Sequence, residues 1–171
     1  YLYLRLLDRR YRVSRAAGTI EWEDEGVWQH AGFLDAMTIY DLLCCAKDGA
    51  SLCGRYSQAE NLPGTIHGAN PAKGADCDRK PEALRAACLA LGGREIPMGE
   101  LSFEIPLFDF LPVMVQFWSS DEEFPPVFKL MWDENVLQFL RFETVCYAAR
   151  FLVNRLQALM GLTVEEAEGH M

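Results

Sequence analysis

The sequence has no long hydrophobic run and no excess of basic residues. No apolar stretch approaches the ~20 residues that a transmembrane helix requires, which argues against a membrane-spanning protein. Lys and Arg together number 16 against 25 Asp and Glu, so the formal net charge is −9. Nucleic-acid binding relies on basic residues that neutralise backbone phosphates. We therefore expect neither nucleic acid nor a membrane as a partner.

The common signatures of catalytic sites are missing as well. There is no Gly-x-Gly-x-x-Gly pattern, no phosphate-binding loop and no Cys-x-x-Cys pair. A zinc site built from Cys53, His67 and Cys77 is an alternative, although their spacing matches no zinc signature. His30 and His67 do not lie in a pattern typical of a catalytic triad. The sequence leaves catalysis open but favours a protein without enzymatic activity.

The six cysteines can be interpreted as free thiols. Cys44, Cys88 and Cys146 fall within apolar helical patterns, where a free cysteine behaves as a small hydrophobic residue. No export signal is visible, and disulfides are rare in proteins of a reducing cytoplasm. We therefore predict a cytoplasmic protein without disulfides.

Alternation of apolar and polar residues predicts several antiparallel strands. They are expected at residues 1–22 (a β-meander), 101–105, 113–118 and 127–132. The strands do not alternate regularly with helices, as they would in a parallel α/β fold. We predict an α+β fold, with an antiparallel β-sheet covered by helices. It should form one domain over residues 1–163, followed by a flexible tail at 164–171.

Helical periodicity predicts three helices, at residues 33–47, 81–91 and 143–160, the first and last covering one face of the sheet. The segment 33–47 carries two apolar stripes. One consists of Ala36, Ile39, Leu43 and Ala46, and the other of Phe33, Met37, Tyr40 and Cys44. A helix with two apolar stripes is expected to be buried on most sides.

Two segments lack regular periodicity and are candidate functional regions. Residues 50–80 form a predicted loop of 31 residues, longer than the usual ~12–15. The connection between the central strands, Asp121–Pro126, contains three consecutive acids and two prolines. We hypothesise that the segment Gly54–Gly68 lies beside this connection and that the two line a cleft. Candidate ligand-binding residues are Arg55, Tyr56, His67, Asp121, Glu122 and Glu123.

The acidic triplet Asp121-Glu122-Glu123 has two interpretations. Its carboxylates could bind a cation, or one of them could have a raised pKa. Alternatively, the three acids are simply solvated, because a calcium loop needs more ligands at alternate positions. Arg55 could pair with one of these acids or bind an anionic ligand.

Several motifs together resemble a known family. Trp118–Pro126 reads WSSDEEFPP, and an apolar strand ending at Asp133 follows it. The segment 52–56 reads LCGRY and is followed by Glu60-Asn61-Leu62-Pro63-Gly64. In this order the motifs resemble the domain of unknown function 3786 over nearly the whole chain. The family usually has Leu-Thr-Gly-Glu-Trp in place of LCGRY, so a carboxylate role at position 55 does not carry over to Arg55.

The resemblance has limited functional implications. The family occurs in anaerobic bacteria and archaea, and many members carry an N-terminal four-iron–four-sulfur domain similar to that of the corrinoid iron–sulfur protein. The resemblance implies a link to corrinoid or one-carbon metabolism, with a corrinoid or iron–sulfur protein as the partner. No activity is established for the family. Three hypotheses follow. The chain is a cofactor- or protein-binding module, a metal-assisted enzyme using Asp121–Glu123 with His67, or a purely structural interaction domain.

Overall fold

The computed structural model describes residues 1–62 and 74–162. In these ranges the chain forms nine strands and four helices. The strands are β1 (Leu2–Leu6), β2 (Arg9–Val13), β3 (Ile20–Asp24), β4 (Val27–His30), β5 (Tyr56–Gln58), β6 (Arg94–Glu95), β7 (Leu101–Phe108), β8 (Leu111–Trp118) and β9 (Val127–Asp133). The helices are α1 (Phe33–Cys45), α2 (Gly74–Cys77), α3 (Pro81–Ala90) and α4 (Phe142–Leu159), with short 3-10 turns at Ala59–Asn61 and Val136–Gln138.

The strands form two antiparallel sheets, which confirms the predicted α+β fold. The first sheet has the order β1-β2-β3-β4. It contains one strand more than the predicted meander, because Glu25 and Gly26 make a two-residue turn into β4. Their φ angles of 47° and 85° are typical of the hairpin turns that match strand twist.

The second sheet has the order β5-β9-β8-β7-β6. Its central strands pair as predicted, with Val113 opposite Trp132 and Phe117 opposite Phe128. The edge strand β5 lies within the segment 50–80, so the described part of this predicted loop contains regular structure. The predicted C-terminal tail, residues 164–171, lies outside the described residues.

The core contains the apolar face of the five-stranded sheet and the inner face of α4. Val113, Phe117 and Trp132 are fully or almost fully buried, as are Ala148 and Leu152. Alternation along the strands places these sheet side chains on one face. Helical periodicity predicts an inner stripe on α4 that consists of Val145, Ala148, Ala149, Leu152, Leu156 and Leu159. The stripe is confirmed along most of its length, and only its last member, Leu159, is exposed.

Helix α1 is oriented differently from the prediction that it is buried on most sides. Its buried residues are Asp35, Thr38, Ile39 and Asp41. Phe33 is 64% exposed and Tyr40 51% exposed, so the stripe that contains them faces outward. The carboxylates explain this orientation, because Asp35 and Asp41 each have hydrogen-bond donors inside the protein.

The cysteines are all free thiols, in agreement with the prediction of no disulfide. Cys77 and Cys88 are buried, and burial raises the pKa of Cys77 to about 11 and that of Cys88 to about 12. Cys44 is exposed, so its assignment to a buried apolar stripe was wrong. The orientation of α1, with this stripe facing outward, accounts for the exposure of Cys44.

Candidate functional site

The five-stranded sheet has a second face, opposite to the core, which we call the open face. Its central side chains, Ser102, Met114 and Gln116, are buried, whereas its peripheral side chains are half-buried and chemically mixed. They include Tyr56 and Gln58 on β5, Glu104 and Pro106 on β7, Trp118 on β8, and Lys129 and Met131 on β9. A surface of polar, aromatic and methionine side chains on a rigid sheet can contact a ligand without local refolding.

A groove of about 370 Å³ lies at one end of the open face. Its lining is largely apolar and includes Leu52, Pro106, Phe108, Phe110 and Pro112. Phe108 and Phe110 stack with their ring centroids 6.1 Å apart and an angle of 13° between the rings. Phe110 is 53% exposed, so an aromatic edge is available to a ligand in the groove.

The polar wall of this groove is formed by Arg94 and Glu104, which are directly opposite each other on β6 and β7. The Nη2 atom of Arg94 is 3.0 Å from Oε1 of Glu104. Burial, followed by the negative charges of Glu104 and Asp133, raises the pKa of Tyr56, so its hydroxyl remains a neutral donor.

Arg55 has a different partner from the one predicted. Its Nε is 2.9 Å from Oε2 of Glu134, and Glu134 also accepts a hydrogen bond from the Ser57 hydroxyl at 3.1 Å. The hypothesis that Arg55 pairs with an acid of the 121–123 triplet is therefore wrong. Glu134, the residue directly after β9, is the carboxylate that binds the Arg55 guanidinium.

The segment before β5 is held by the buried carboxylate of Asp133. It accepts hydrogen bonds from the backbone N–H groups of Cys53 at 3.1 Å, Gly54 at 2.7 Å and Asn135 at 2.9 Å. Burial disfavours its charge, but these N–H groups and the Cys53 thiol outweigh that effect and lower the pKa of Asp133. This carboxylate positions Leu52 and Tyr56 beside the groove.

The predicted cleft between Gly54–Gly68 and Asp121–Pro126 is not formed by the start of the first segment. Tyr56 pairs with Asp133, at the end of β9 farthest from the acidic connection. Along a seven-residue strand this corresponds to a separation of about 20 Å. The prediction is wrong for residues 54–56. β5 runs antiparallel to β9, so residues 57–62 lead back towards the acidic connection and the cleft stays a prediction there. His67 and the rest of 63–68 lie outside the described residues.

The acidic connection forms an ordered turn. Oδ1 of Asp121 accepts hydrogen bonds from the backbone N–H groups of Glu123 at 2.8 Å and Phe124 at 2.7 Å. This arrangement is a local Asx turn. Glu122 and Glu123 are exposed. Within residues 1–62 and 74–162, no group of three or more His, Cys, Asp or Glu side chains is placed to hold a metal ion.

Two carboxylates that the sequence analysis did not identify hold the serines before this turn. Glu100 accepts hydrogen bonds from the backbone N–H and the hydroxyl of Ser119, at 2.7 and 2.5 Å. Asp78 does the same for Ser120, at 3.0 and 2.7 Å. The Ser-Ser pair in the WSSDEEFPP motif indicates hydroxyl donors, but their partners are distant in sequence. The motif thus has a clear structural role.

Close backbone packing also fixes the connection. A Cβ atom at Gly74 would lie 2.4 Å from the carbonyl oxygen of Pro126, and one at Gly99 would lie 2.9 Å from the Trp118 ring. Gly99 also has a φ of 62°, which favours glycine. The Lys129 ammonium, also on the open face, lies 5.5 Å from the centroid of the Trp118 ring. This end of the open face is therefore more completely packed than the groove.

Of the predicted site residues, Tyr56 lies on the open face, but none of the residues that line the groove was predicted as a site residue. Arg94 follows a Gly-Gly helix stop, and Glu104 occupies a polar position of an alternating strand. Neither residue has a local sequence signal of function. They come together only through the register between β6 and β7. Phe110 belongs to a short apolar link whose exposure cannot be read from the sequence.

The fold and site define an α+β domain of two antiparallel sheets with a groove on one sheet face. The chain belongs to the family described as Domain of unknown function (DUF3786), whose model matches residues 1–155. The predicted family resemblance is confirmed. No curated protein and no solved structure matches the chain. None of the described helices has the length and apolar character needed to cross a bilayer.

Proposed function

We propose that this chain is a cytoplasmic, non-catalytic binding module that docks a partner protein through the groove on the open face. The observation that carries the proposal is the composition of the groove. An exposed aromatic residue, Phe110, and two prolines, Pro106 and Pro112, lie beside the Arg94–Glu104 ion pair. Protein interfaces commonly combine an apolar centre containing aromatic residues with a polar rim.

The dimensions of the groove favour a protein segment as its occupant. Its volume of about 370 Å³ lies near the lower end of the roughly 300–1,000 Å³ typical of ligand sites. One large apolar side chain with its neighbouring backbone fits such a space. Glu104 and Arg94 then offer an acceptor and a donor to the backbone of that segment.

The partner class comes from the family resemblance. Its link to corrinoid and one-carbon metabolism makes a corrinoid or iron–sulfur protein the partner to test first. The acidic connection is less suited to the alternative, a metal-assisted reaction, because Oδ1 of Asp121 already accepts two backbone hydrogen bonds.

The test is an NMR titration of the ¹⁵N-labelled chain with a purified corrinoid iron–sulfur protein. We expect chemical-shift changes around Leu52, Arg94 and Phe110, and Phe110→Ala should weaken binding about tenfold or more, as for interface hot spots. Phe124→Ala is the matched control, because Phe124 is 64% exposed and lies in the acidic connection.

Two results would contradict the proposal. One is a titration without shift changes in the groove. The other is a stronger effect of Phe124→Ala than of Phe110→Ala, which would place binding at the acidic connection instead.

A parallel titration with hydroxocobalamin separates recognition of the partner protein from recognition of a free corrinoid. Shifts in the groove with hydroxocobalamin alone would favour the cofactor-binding hypothesis.

A further inference from the structure

Helix α1 presents an uncharged face to solvent. Its only charged residues, Asp35 and Asp41, are both buried. Asp35 accepts a hydrogen bond from the Tyr11 hydroxyl at 2.8 Å, and Asp41 accepts one from the Arg141 backbone N–H at 2.6 Å. The exposed side therefore has no formal charge, although 24% of the chain is charged.

The exposed side is also apolar and continuous. Phe33, Tyr40 and Leu43 are 64%, 51% and 46% exposed, and Cys44 is exposed beside them. Tyr147 of α4 extends this surface, because its ring packs edge-on against Phe33 with the centroids 5.2 Å apart. Contiguous apolar surfaces of this kind are characteristic of interaction sites. We call this surface the α1 face.

The spacing of the α1 face is that of a helix–helix seam. Phe33, Met37, Tyr40 and Cys44 follow one another at intervals of four, three and four residues. This is the spacing at which helices pack side by side in coiled coils. In an antiparallel pair of identical helices, Phe33 of each copy lies opposite Cys44 of the other, and Met37 opposite Tyr40.

We propose that the α1 face binds a second copy of this chain, with the two α1 helices antiparallel about a two-fold axis. The absence of charged side chains on this face is the first argument, because the net charge opposes association elsewhere. Each copy carries a net charge of −9, so two copies repel each other over most of their surfaces. The α1 face is a place where they can meet without desolvating a charge.

The margin of the α1 face supports the same occupant. Glu143 and Arg150 are exposed and flank Tyr147 on α4 at spacings of four and three residues, so they share its side of the helix. They are opposite in sign, and a two-fold arrangement allows an acid of one copy to face a base of the other. A membrane surface, in contrast, is usually bound through a helix rich in Lys and Arg.

The size of the face predicts a weak dimer. A helix of 13 residues is about 20 Å long and about 10 Å wide. Such a strip provides less than the roughly 800 Å² per partner of a standard interface. The dimer should therefore dissociate at low protein concentration.

Sedimentation velocity of the reduced chain from about 1 µM to about 1 mM, a range that spans weak affinities, tests the proposal. We expect the wild type to shift from monomer to dimer and Tyr40→Glu to remain monomeric. Phe124→Glu, which adds the same charge at an exposed aromatic residue outside the α1 face and the groove, should dimerise as the wild type does. Circular dichroism confirms that each variant is folded.

A disulfide experiment tests the antiparallel arrangement independently. Positions 33 and 44 of one helix are about 16 Å apart, too far for a disulfide within one copy. Mild oxidation of Phe33→Cys should therefore yield a covalent dimer linked between position 33 and Cys44, identified by mass spectrometry. Adding Cys44→Ala should abolish this link.

Three results would overturn the proposal. The first is a wild type that stays monomeric over the whole concentration range, which would assign the α1 face to another partner. The second is a dimer that persists in Tyr40→Glu or is lost in Phe124→Glu. The third is a link between the two Cys44 residues in place of the expected one.

Discussion

Helices α1 and α4 pack along each other and have similar apolar periodicity, yet they are oriented by different forces. In α4 the predicted apolar stripe faces the core, with Val145, Ala148 and Leu152 fully buried. In α1 the carboxylates of Asp35 and Asp41 face inward and much of the apolar surface faces outward. The comparison shows that specific polar partners can determine which side of a helix is buried.

The start of α4 provides the physical reason. Its N-cap residue is Arg141, which makes no side-chain capping hydrogen bond, so the first N–H groups of the helix need another acceptor. Asp41 supplies it from α1. Burial opposes its charge, but the Arg141 backbone N–H, the Cys45 and Thr144 side chains and the Arg141 guanidinium outweigh this and lower the pKa of Asp41. A carboxylate at a helix N-terminus is further favoured by the helix dipole.

Removing Asp41 should therefore have the largest effect. We expect Asp41→Ala to lower the free energy of unfolding by about 3 kcal/mol, since it removes a buried charged acceptor from the part-buried donors of Arg141. Urea denaturation measures the change. Asp48→Ala is the control, because Asp48 is exposed just beyond the helix and its loss should change stability by less than about 0.5 kcal/mol. Equal effects of the two substitutions would contradict this explanation.

Two aspartates near opposite ends of β9 offer a smaller contrast of the same kind. Asp133 is the last residue of β9, and Asp121 lies in the connection that precedes it. Asp133 is buried and accepts three backbone hydrogen bonds, whereas Asp121 is exposed and accepts two. We expect Asp133→Ala to cost about 2 to 3 kcal/mol and Asp121→Ala about 1 kcal/mol. Thermal unfolding of both variants tests the order, and a larger effect at Asp121 would reverse our interpretation of the acidic connection.

The two carboxylates of α1 should respond to pH in opposite directions. Burial raises the pKa of Asp35 despite its hydrogen bond from Tyr11, so its contribution to stability is full below the unfolded pKa of about 3.9 and is lost as pH rises. The pKa of Asp41 is lowered, so its contribution is present above about 3.9 and is lost as pH falls.

Urea denaturation of the wild type, Asp35→Asn and Asp41→Asn between about pH 3 and about pH 7 tests these signs. Wild-type stability relative to Asp35→Asn should fall as pH rises, and relative to Asp41→Asn it should rise. Parallel profiles for the two variants would show that α1 does not bury its carboxylates as described.

Much of the fold could be predicted from the sequence, because alternation and helical periodicity are local signals. They located β8, β9 and α4 to within a few residues. The orientation of α1 could not be predicted, since it depends on Tyr11 and Arg141, which are far from α1 in sequence. The groove escaped prediction for the same reason. Its ion pair and its aromatic lining come together only through strand register.

The smallest effects are expected at the other two acids of the connection. Glu122 and Glu123 are exposed, so Glu122→Ala and Glu123→Ala should change the free energy of unfolding by less than about 0.5 kcal/mol each. Thermal unfolding checks this expectation. If either substitution destabilised the protein as strongly as Asp121→Ala, that acid would have a structural role.

The most direct test of the central claim, that α1 buries its carboxylates and exposes its apolar stripe, is the reactivity of native thiols. At about 1 µM, where a weak dimer is dissociated, an alkylating reagent followed by mass spectrometry gives the labelling rate of each cysteine. The structure predicts fast labelling of exposed Cys44 and slow labelling of buried Cys77 and Cys88. Labelling of Cys44 as slow as that of Cys88 would contradict the account.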